Sequence, residues 1–349
     1  MAKVALLLAL GILAAASFVA TRPEDATRPG FDLLVTHYVL KAVFYSLGMT
    51  GRASGMRLVL NALNGSIGAV LNAEDEGVVH SDIALSGSHI NIRVFSPRSA
   101  LTEKENLPLV VYFHGGGWTL GGHVYVAALA SRLAKRANVH VASVEYGLAP
   151  EHRFPTAYDD AFAAVQHLHG AAAALFRGDP SRMVLAGDSA GGNLAAAVAQ
   201  RMRDEGMRQA LGQVLIYPVV DASYPATPSM RTYADGYIIN RPYIEFFLDQ
   251  YLGVTGDAAK SIVEKDVRLS PILADSFEDL PPALVVLAKH DVLHDQGVEY
   301  AGRLSAANVP VKLRRYDTVH GFIVTLEGEG EKATDDIAAQ IRQWVADSR

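Results

Sequence analysis

Residues Val184–Gln200 read VLAGDSAGGNLAAAVAQ, and the way this stretch folds decides the rest of the chain. Val184, Leu185 and Ala186 have the character of the end of a buried strand. From Asn193 to Gln200 the residues suit a helix, with no proline and no β-branched cluster. Between them lies Gly187-Asp188-Ser189-Ala190-Gly191, a G-x-S-x-G string. A strand that turns abruptly into a helix forces its apical residue into a strained backbone. Only small neighbours two positions to either side let the chain pass itself. Such a turn lifts the Ser189 oxygen clear of the sheet and sets it at a helix N-terminus, where backbone N–H groups favour an anion. A glycine-rich connection with an incidental serine fits the same five residues, so the remainder of the sequence must separate the two.

The 349 residues leave room for one large domain or two. Half are hydrophobic and only 19% are charged, which supplies a sizeable core and excludes global disorder. A net charge of −6 and a pI near 6.1 offer no basic field for nucleic acid, and no Lys/Arg run appears. The chain has no cysteine, which removes disulfides, thiolate metal sites and cysteine nucleophiles together. Lys3 precedes an uncharged apolar run, Val4–Ala20, with small residues at Ala14, Ala15 and Ala16. That pattern fits a secretory signal peptide or an uncleaved membrane anchor, which imply export or membrane association. A helix packed on the protein itself is the third reading and leaves the protein cytoplasmic.

Residues 31–71 have helical character, with polar residues of FDLLVTHYVLKAVFYSL falling at Asp32, Thr36, His37 and Lys41. From about Ile83 short apolar, β-branched runs take over: INIRVFSP, LPLVVYFHGGG, HVASVEYGLAP, RMVLAGDS, GQVLIYPVV, PALVVLAKHD and VKLRRYD. Helical stretches lie between most of them, at Ala127–Arg136, Tyr158–Leu175 and Asn193–Glu205. Alternation of this kind predicts an α/β fold with a mostly parallel sheet covered on both faces. The stretch from about Asp221 to Asp275 breaks the rhythm and is expected to be an insertion. The expected organisation is therefore a leader or anchor over 1–20, cap helices over 21–80, and a catalytic domain over 81–349 with a cap insertion at about 221–275.

A parallel sheet binds its ligand at the carboxyl ends of its strands, and three further features fall at such ends. After LPLVVYF comes His114-Gly115-Gly116-Gly117-Trp118, whose glycine amides are unshielded and suit an oxyanion hole. After PALVVLAKH comes Asp291, and after VKLRRYDTV comes His320. A serine hydroxyl needs an imidazole to accept its proton, and the imidazole needs a carboxylate to orient it. The chain order Ser189…Asp291…His320 is that of α/β-hydrolases. Asp295 is a candidate cap for the helix that follows Asp291.

HGGG at 114–117, GDSAGG at 187–192, D-x-L-x-D at 291–295 and HGF at 320–322 together resemble the hormone-sensitive lipase family of carboxylesterases. YGLAPEHRFP at 146–155 and YP at 217–218 strengthen the likeness, which covers roughly residues 80–349. The resemblance implies an eight-stranded, mostly parallel α/β-hydrolase sheet with a helical cap. It also implies Ser189 as nucleophile, His320 as general base and acid, Asp291 as its orienting carboxylate, and the amides of Gly115, Gly116 and Ala190 as the oxyanion hole. Three departures bear on the site. Gly147 stands where the family usually has arginine, which puts an ion pair near Glu151 in question. Gln296 stands where it often has glutamate. His294 adds a second imidazole beside Asp291.

No H-E-x-x-H, phosphate-cradling loop or convincing dinucleotide fingerprint occurs, and GEGEKA at 328–333 is expected to be a loop. The expected activity is hydrolysis of short-to-medium acyl esters of small molecules, with neither metal nor cofactor. Amide deacylation of the arylacetamide type and ligand binding on a non-catalytic scaffold are the alternatives. Trp118, Tyr125, Tyr233, Tyr237, Phe246 and Phe247 are candidate walls of the acyl pocket, with Trp118, Tyr237 and Phe246 foremost. The oligomeric state is left open, a dimer included.

Overall fold

LPLVVYF, at the centre of the sheet, is a short apolar run buried along its whole length. The computed structural model describes residues 77–102, 105–235, 238–325 and 327–348. Val4–Ala20, the stretch 31–71 that the sequence predicts to be helical, and Tyr237 lie outside the described residues.

Eight strands form one sheet in the order β1-β2-β4-β3-β5-β6-β7-β8. They are β1 Val78–Ala84, β2 Asn91–Pro97, β3 Leu107–Phe113, β4 His140–Glu145, β5 Gly178–Asp188, β6 Gly212–Ile216, β7 Ala283–His290 and β8 Val311–Val319. The β1/β2 and β2/β4 pairs are antiparallel and the others parallel. Side chains along β3 alternate between two cores: Leu109, Val111 and Phe113 face one, Val110 and Tyr112 the other. Helices α1 (His123–Ala137) and α8 (Glu329–Asp347) cover one face. Helices α2 (Thr156–Phe176), α3 (Ala190–Asp204) and α7 (His294–Ala306) cover the other. With both faces covered, a strand needs no polar side, which is why a run such as LPLVVYF is continuously apolar.

The insertion after β6 carries α4 (Pro228–Thr232), α5 (Arg241–Leu252) and α6 (Gly256–Val263). Its two roots are tied to the catalytic body. Asn193 Nδ2 on α3 donates to Val219 O at 2.9 Å and to Leu269 O at 2.8 Å, one carbonyl from each root. Gln296 Oε1 accepts from the amides of Val220 and Asp221 at 2.7 and 2.9 Å. A neutral amide oxygen thus fills the place where the family often has a carboxylate.

Three local expectations are corrected. The sheet begins at Val78, ahead of the expected boundary at 81. Its β1 is an outer strand with mostly exposed residues, so it carries no apolar alternation to signal it. GEGEKA belongs largely to α8, which starts at Glu329 after Gly328 at φ 52°. Glu329 and Glu331 sit in its first turn, where the helix dipole favours acids, and Glu331 pairs with Arg132 and Arg136 of α1. Asp295 does not cap its own helix; its Oδ2 accepts from the Ser229 amide at 2.8 Å, in the first turn of α4. Among the described residues no helix is long and apolar enough to cross a membrane.

Candidate active site

Ser189 occupies the turn between β5 and α3 at φ 55° and ψ −118°, a backbone that side chains other than glycine rarely adopt. Its amide donates to Ile216 O at 2.9 Å, and its carbonyl accepts from the Asn193 amide at 3.1 Å. The flanking glycines are sterically required. A Cβ on Gly187 would lie 2.2 Å from Gly191 O, and one on Gly191 only 2.0 Å from Phe113 O. Strain at Ser189 is thus held by the close approach of β3, β5 and α3.

Residues far apart in the sequence converge on the Ser189 hydroxyl. His320, just past β8, places Nε2 3.0 Å from Ser189 Oγ. Its Nδ1 lies 2.7 Å from Asp291 Oδ2, just past β7. Asp291 is 2% exposed, and its other oxygen accepts from the Leu293 amide at 2.9 Å. With the carboxylate accepting from Nδ1–H, Nε2 is left to accept the serine proton. His294 is turned elsewhere, with Nδ1 2.9 Å from Asp295 Oδ1. Parallel pairing of β5, β6, β7 and β8 is what brings these loops to one rim of the sheet.

The glycine loop after β3 departs from expectation at one position. The Gly115 amide donates inward to Asp188 Oδ1 at 2.8 Å, so it does not face an oxyanion at Ser189. The reason is electrostatic: the Asp188 carboxylate is 0% exposed and needs donors, and the Tyr112 hydroxyl at 2.9 Å supplies another. Burial pushes its carboxyl up to about 6, while the hydrogen bonds from Tyr112 and Gly115 and the nearby His320 act against the rise. Beyond Gly115 the loop runs through Gly116 at φ 116° and Gly117 at φ 59°. The amides of Gly116, Gly117 and Ala190 make no hydrogen bond among the described residues. The His114 ring stacks on Tyr146 at 4.4 Å, and its carbonyl accepts from the Tyr146 hydroxyl at 2.7 Å, a supporting role. Asp188 was not singled out from the sequence; the signal available was a lone carboxylate ending an apolar strand.

Among the candidate pocket walls, Trp118 is 1% exposed and stacks on Tyr251 of α5 at 4.7 Å. Phe246 is buried and meets Phe247 edge to face. Phe247 carries α5 onto the loop itself, since a Cβ on Gly117 would lie 2.4 Å from its ring. Tyr233 hydrogen-bonds His290 Nδ1 at 3.1 Å, at the end of β7. Tyr125 packs partly buried against the core under α1. At Gly147 the space for a side chain is taken by His89 and His152, which stack at 4.3 Å; Asp160 Oδ2 accepts from the Gly147 amide and lies 2.7 Å from His89 Nε2. A histidine thus meets the carboxylate beside the position where the family usually has arginine.

A family model described as the alpha/beta hydrolase fold matches residues 110–324. The chain is 43% identical over 235 residues to carboxylesterase NlhH of Mycobacterium tuberculosis, covering 67% of this chain and 71% of that one. It is 36% identical over 285 residues to ethyl acetate hydrolase of Pseudomonas putida, covering 78% and 87%. Among solved structures, the esterase of Pyrobaculum calidifontis superposes with a TM-score of 0.79 at 33% identity, covering 89% of this chain and 98% of that one. The matched span runs from β3 past His320 and so takes in the Ser189 turn, the glycine loop and both residues hydrogen-bonded in line with Ser189: the chain belongs to the α/β-hydrolase family, among its hormone-sensitive lipase-like carboxylic ester hydrolases.

Proposed function

We propose that this ester hydrolase works through an acyl-enzyme on Ser189, with His320 as base and acid and Asp291 as the orienting carboxylate. The observation that carries this reading is the chain Ser189 Oγ–His320 Nε2 at 3.0 Å and His320 Nδ1–Asp291 Oδ2 at 2.7 Å. Ser189 Oγ attacks the ester carbonyl carbon as its proton passes to His320 Nε2. The carbonyl oxygen becomes an oxyanion, held by the amides of Gly116, Gly117 and Ala190, and Asp291 stabilises the imidazolium. His320 returns the proton to the departing alkoxide, leaving an acyl-serine and a free alcohol. Water then attacks the acyl carbon, giving up a proton to His320, and the carboxylic acid leaves as Ser189 regains its proton.

The substrate range we infer is short-to-medium acyl esters of small molecules. Support comes from α5, whose Phe247 ring lies on Gly117 and whose Tyr251 is stacked on Trp118, and which therefore roofs the loop closely. The test is a series of nitrophenyl esters with two to sixteen acyl carbons, run beside a nitrophenyl acetanilide. The four-carbon ester should exceed the twelve-carbon ester in kcat/KM, and the anilide should turn over far more slowly than the matching ester. Preference for the twelve-carbon chain overturns the size assignment, and a faster anilide overturns the ester assignment in favour of amide deacylation.

A further inference from the structure

Asp188 is a fully buried carboxylate that no step above uses. An apolar side chain would fill the same space at less cost, because an ionised group loses its hydration on burial. What a carboxylate adds is a strong acceptor, and its two oxygens sit where the nucleophile turn and the glycine loop meet. Gly115 approaches so closely that a Cβ there would lie 2.4 Å from Asp188 Oδ2. The preceding carbonyl, that of His114, is fixed separately by the Tyr146 hydroxyl. The next two residues, Gly116 and Gly117, have positive φ, and the carbonyls along the loop are met by His114 Nδ1 at Gly115, by the Thr119 and Leu120 amides at Gly116 and by the Thr119 hydroxyl at Gly117. Tyr112, Tyr125, Tyr146 and Tyr217 surround the carboxylate, and burial and its charge push all four phenols upward, so they remain neutral. The His320 ring lies close enough to act against the upward shift of the Asp188 carboxyl.

We propose that Asp188 is a positioning residue for the oxyanion hole: by accepting the Gly115 N–H it fixes the direction in which the Gly116 and Gly117 amides point toward a carbonyl bound at Ser189. Asp188 and Ser189 are adjacent in the chain, so this hydrogen bond, added to the β3–β5 pairing of Phe113 with Gly187, ties the first amide of the donor loop to the nucleophile turn. The proposal rests on the reading of Ser189 as nucleophile.

The experiment compares wild type with Asp188→Ala and Asp188→Asn on the four-carbon nitrophenyl ester. It also reads the affinity for butylboronic acid, which forms a tetrahedral adduct on a nucleophilic serine. Asp188→Ala should lower kcat about 10- to 100-fold with KM within about threefold, because a donor to the oxyanion acts mainly in the transition state. Boronate affinity should fall by a similar factor. Asp188→Asn keeps an oxygen that accepts from Gly115 and should recover most of the lost kcat. Should Asp188→Ala not fold, Asp188→Ser, whose hydroxyl is one atom too short to span to the loop, carries the same expectation. Unchanged kcat in a folded Ala or Ser variant, or a loss confined to KM, overturns the proposal, as does a boronate affinity that does not follow kcat. Wild-type enzyme left unlabelled at Ser189 by diisopropyl fluorophosphate overturns the nucleophile reading, and the Asp188 proposal with it.

Discussion

Ser189→Ala is expected to lower kcat on the four-carbon nitrophenyl ester by about 10⁴-fold or more while leaving the unfolding temperature within a few degrees of wild type. The size follows from the arrangement: without Oγ there is no atom for His320 Nε2 to deprotonate, and residues of such a triad act as a unit. Stability should hold because the hydroxyl makes one partly buried hydrogen bond, whereas the Ser189 amide and carbonyl, which an alanine keeps, make the bonds that fix the turn. An alanine Cβ suffers the same φ of 55° as serine, so the strain is unchanged. Steady-state kinetics beside thermal denaturation checks both halves. Turnover within about tenfold of wild type in the folded variant would remove the serine from the mechanism.

Gly191→Ala is expected to have the largest effect on stability, about 4 kcal/mol or more, through overpacking and strain at a special backbone position. The added Cβ would lie 2.0 Å from Phe113 O and 2.6 Å from His114 O. Neither oxygen has room to move. Phe113 ends β3, which is paired with β4 on one side and β5 on the other. His114 O is held by Tyr146. Any relief must come from α3 moving outward, which would displace the Ser189 turn and the glycine loop together. Equilibrium denaturation measures the loss, and activity per folded molecule should fall in parallel. A destabilisation below about 1 kcal/mol would mean that the β3–α3 approach is softer than the geometry implies.

The parts of the fold that depend on double-sided burial were legible as sequence. Runs such as LPLVVYF, and ALVVLAKH up to Ala288, are apolar at every position because neighbouring helices cover both faces, and they stand out for that reason. β1 lacks such cover, and VVHSDIA carries no pattern that distinguishes it from a loop. The start of α8 was hidden by its glycines; the helix is carried by burial of Ala333, Ile337, Ala338 and Ile341 against the sheet, and Glu331 in its first turn meets arginines on α1, nearly two hundred positions away. Ser189, Asp291 and His320 were legible because chain order and strand ends fix their positions. The glycine amides were not, since three consecutive glycines offer three N–H groups and the sequence does not say which is taken. Asp188 decides that, by drawing the Gly115 amide inward through a hydrogen bond between residues 73 apart in the chain. Gln296 and Gly147 show the converse case, in which a departure from the family pattern is absorbed by an amide oxygen and by a pair of stacked imidazoles.

The most direct test of the account is to trap the covalent intermediate. Enzyme mixed with an excess of nitrophenyl butyrate and quenched in acid during turnover should gain the mass of one butyryl group. Fragmentation should place that group on the peptide containing Ser189, and His320→Ala should abolish its accumulation. A butyryl mass on any other residue, or turnover at the full rate with no acylated protein at any quench time, would contradict an acyl-enzyme on Ser189.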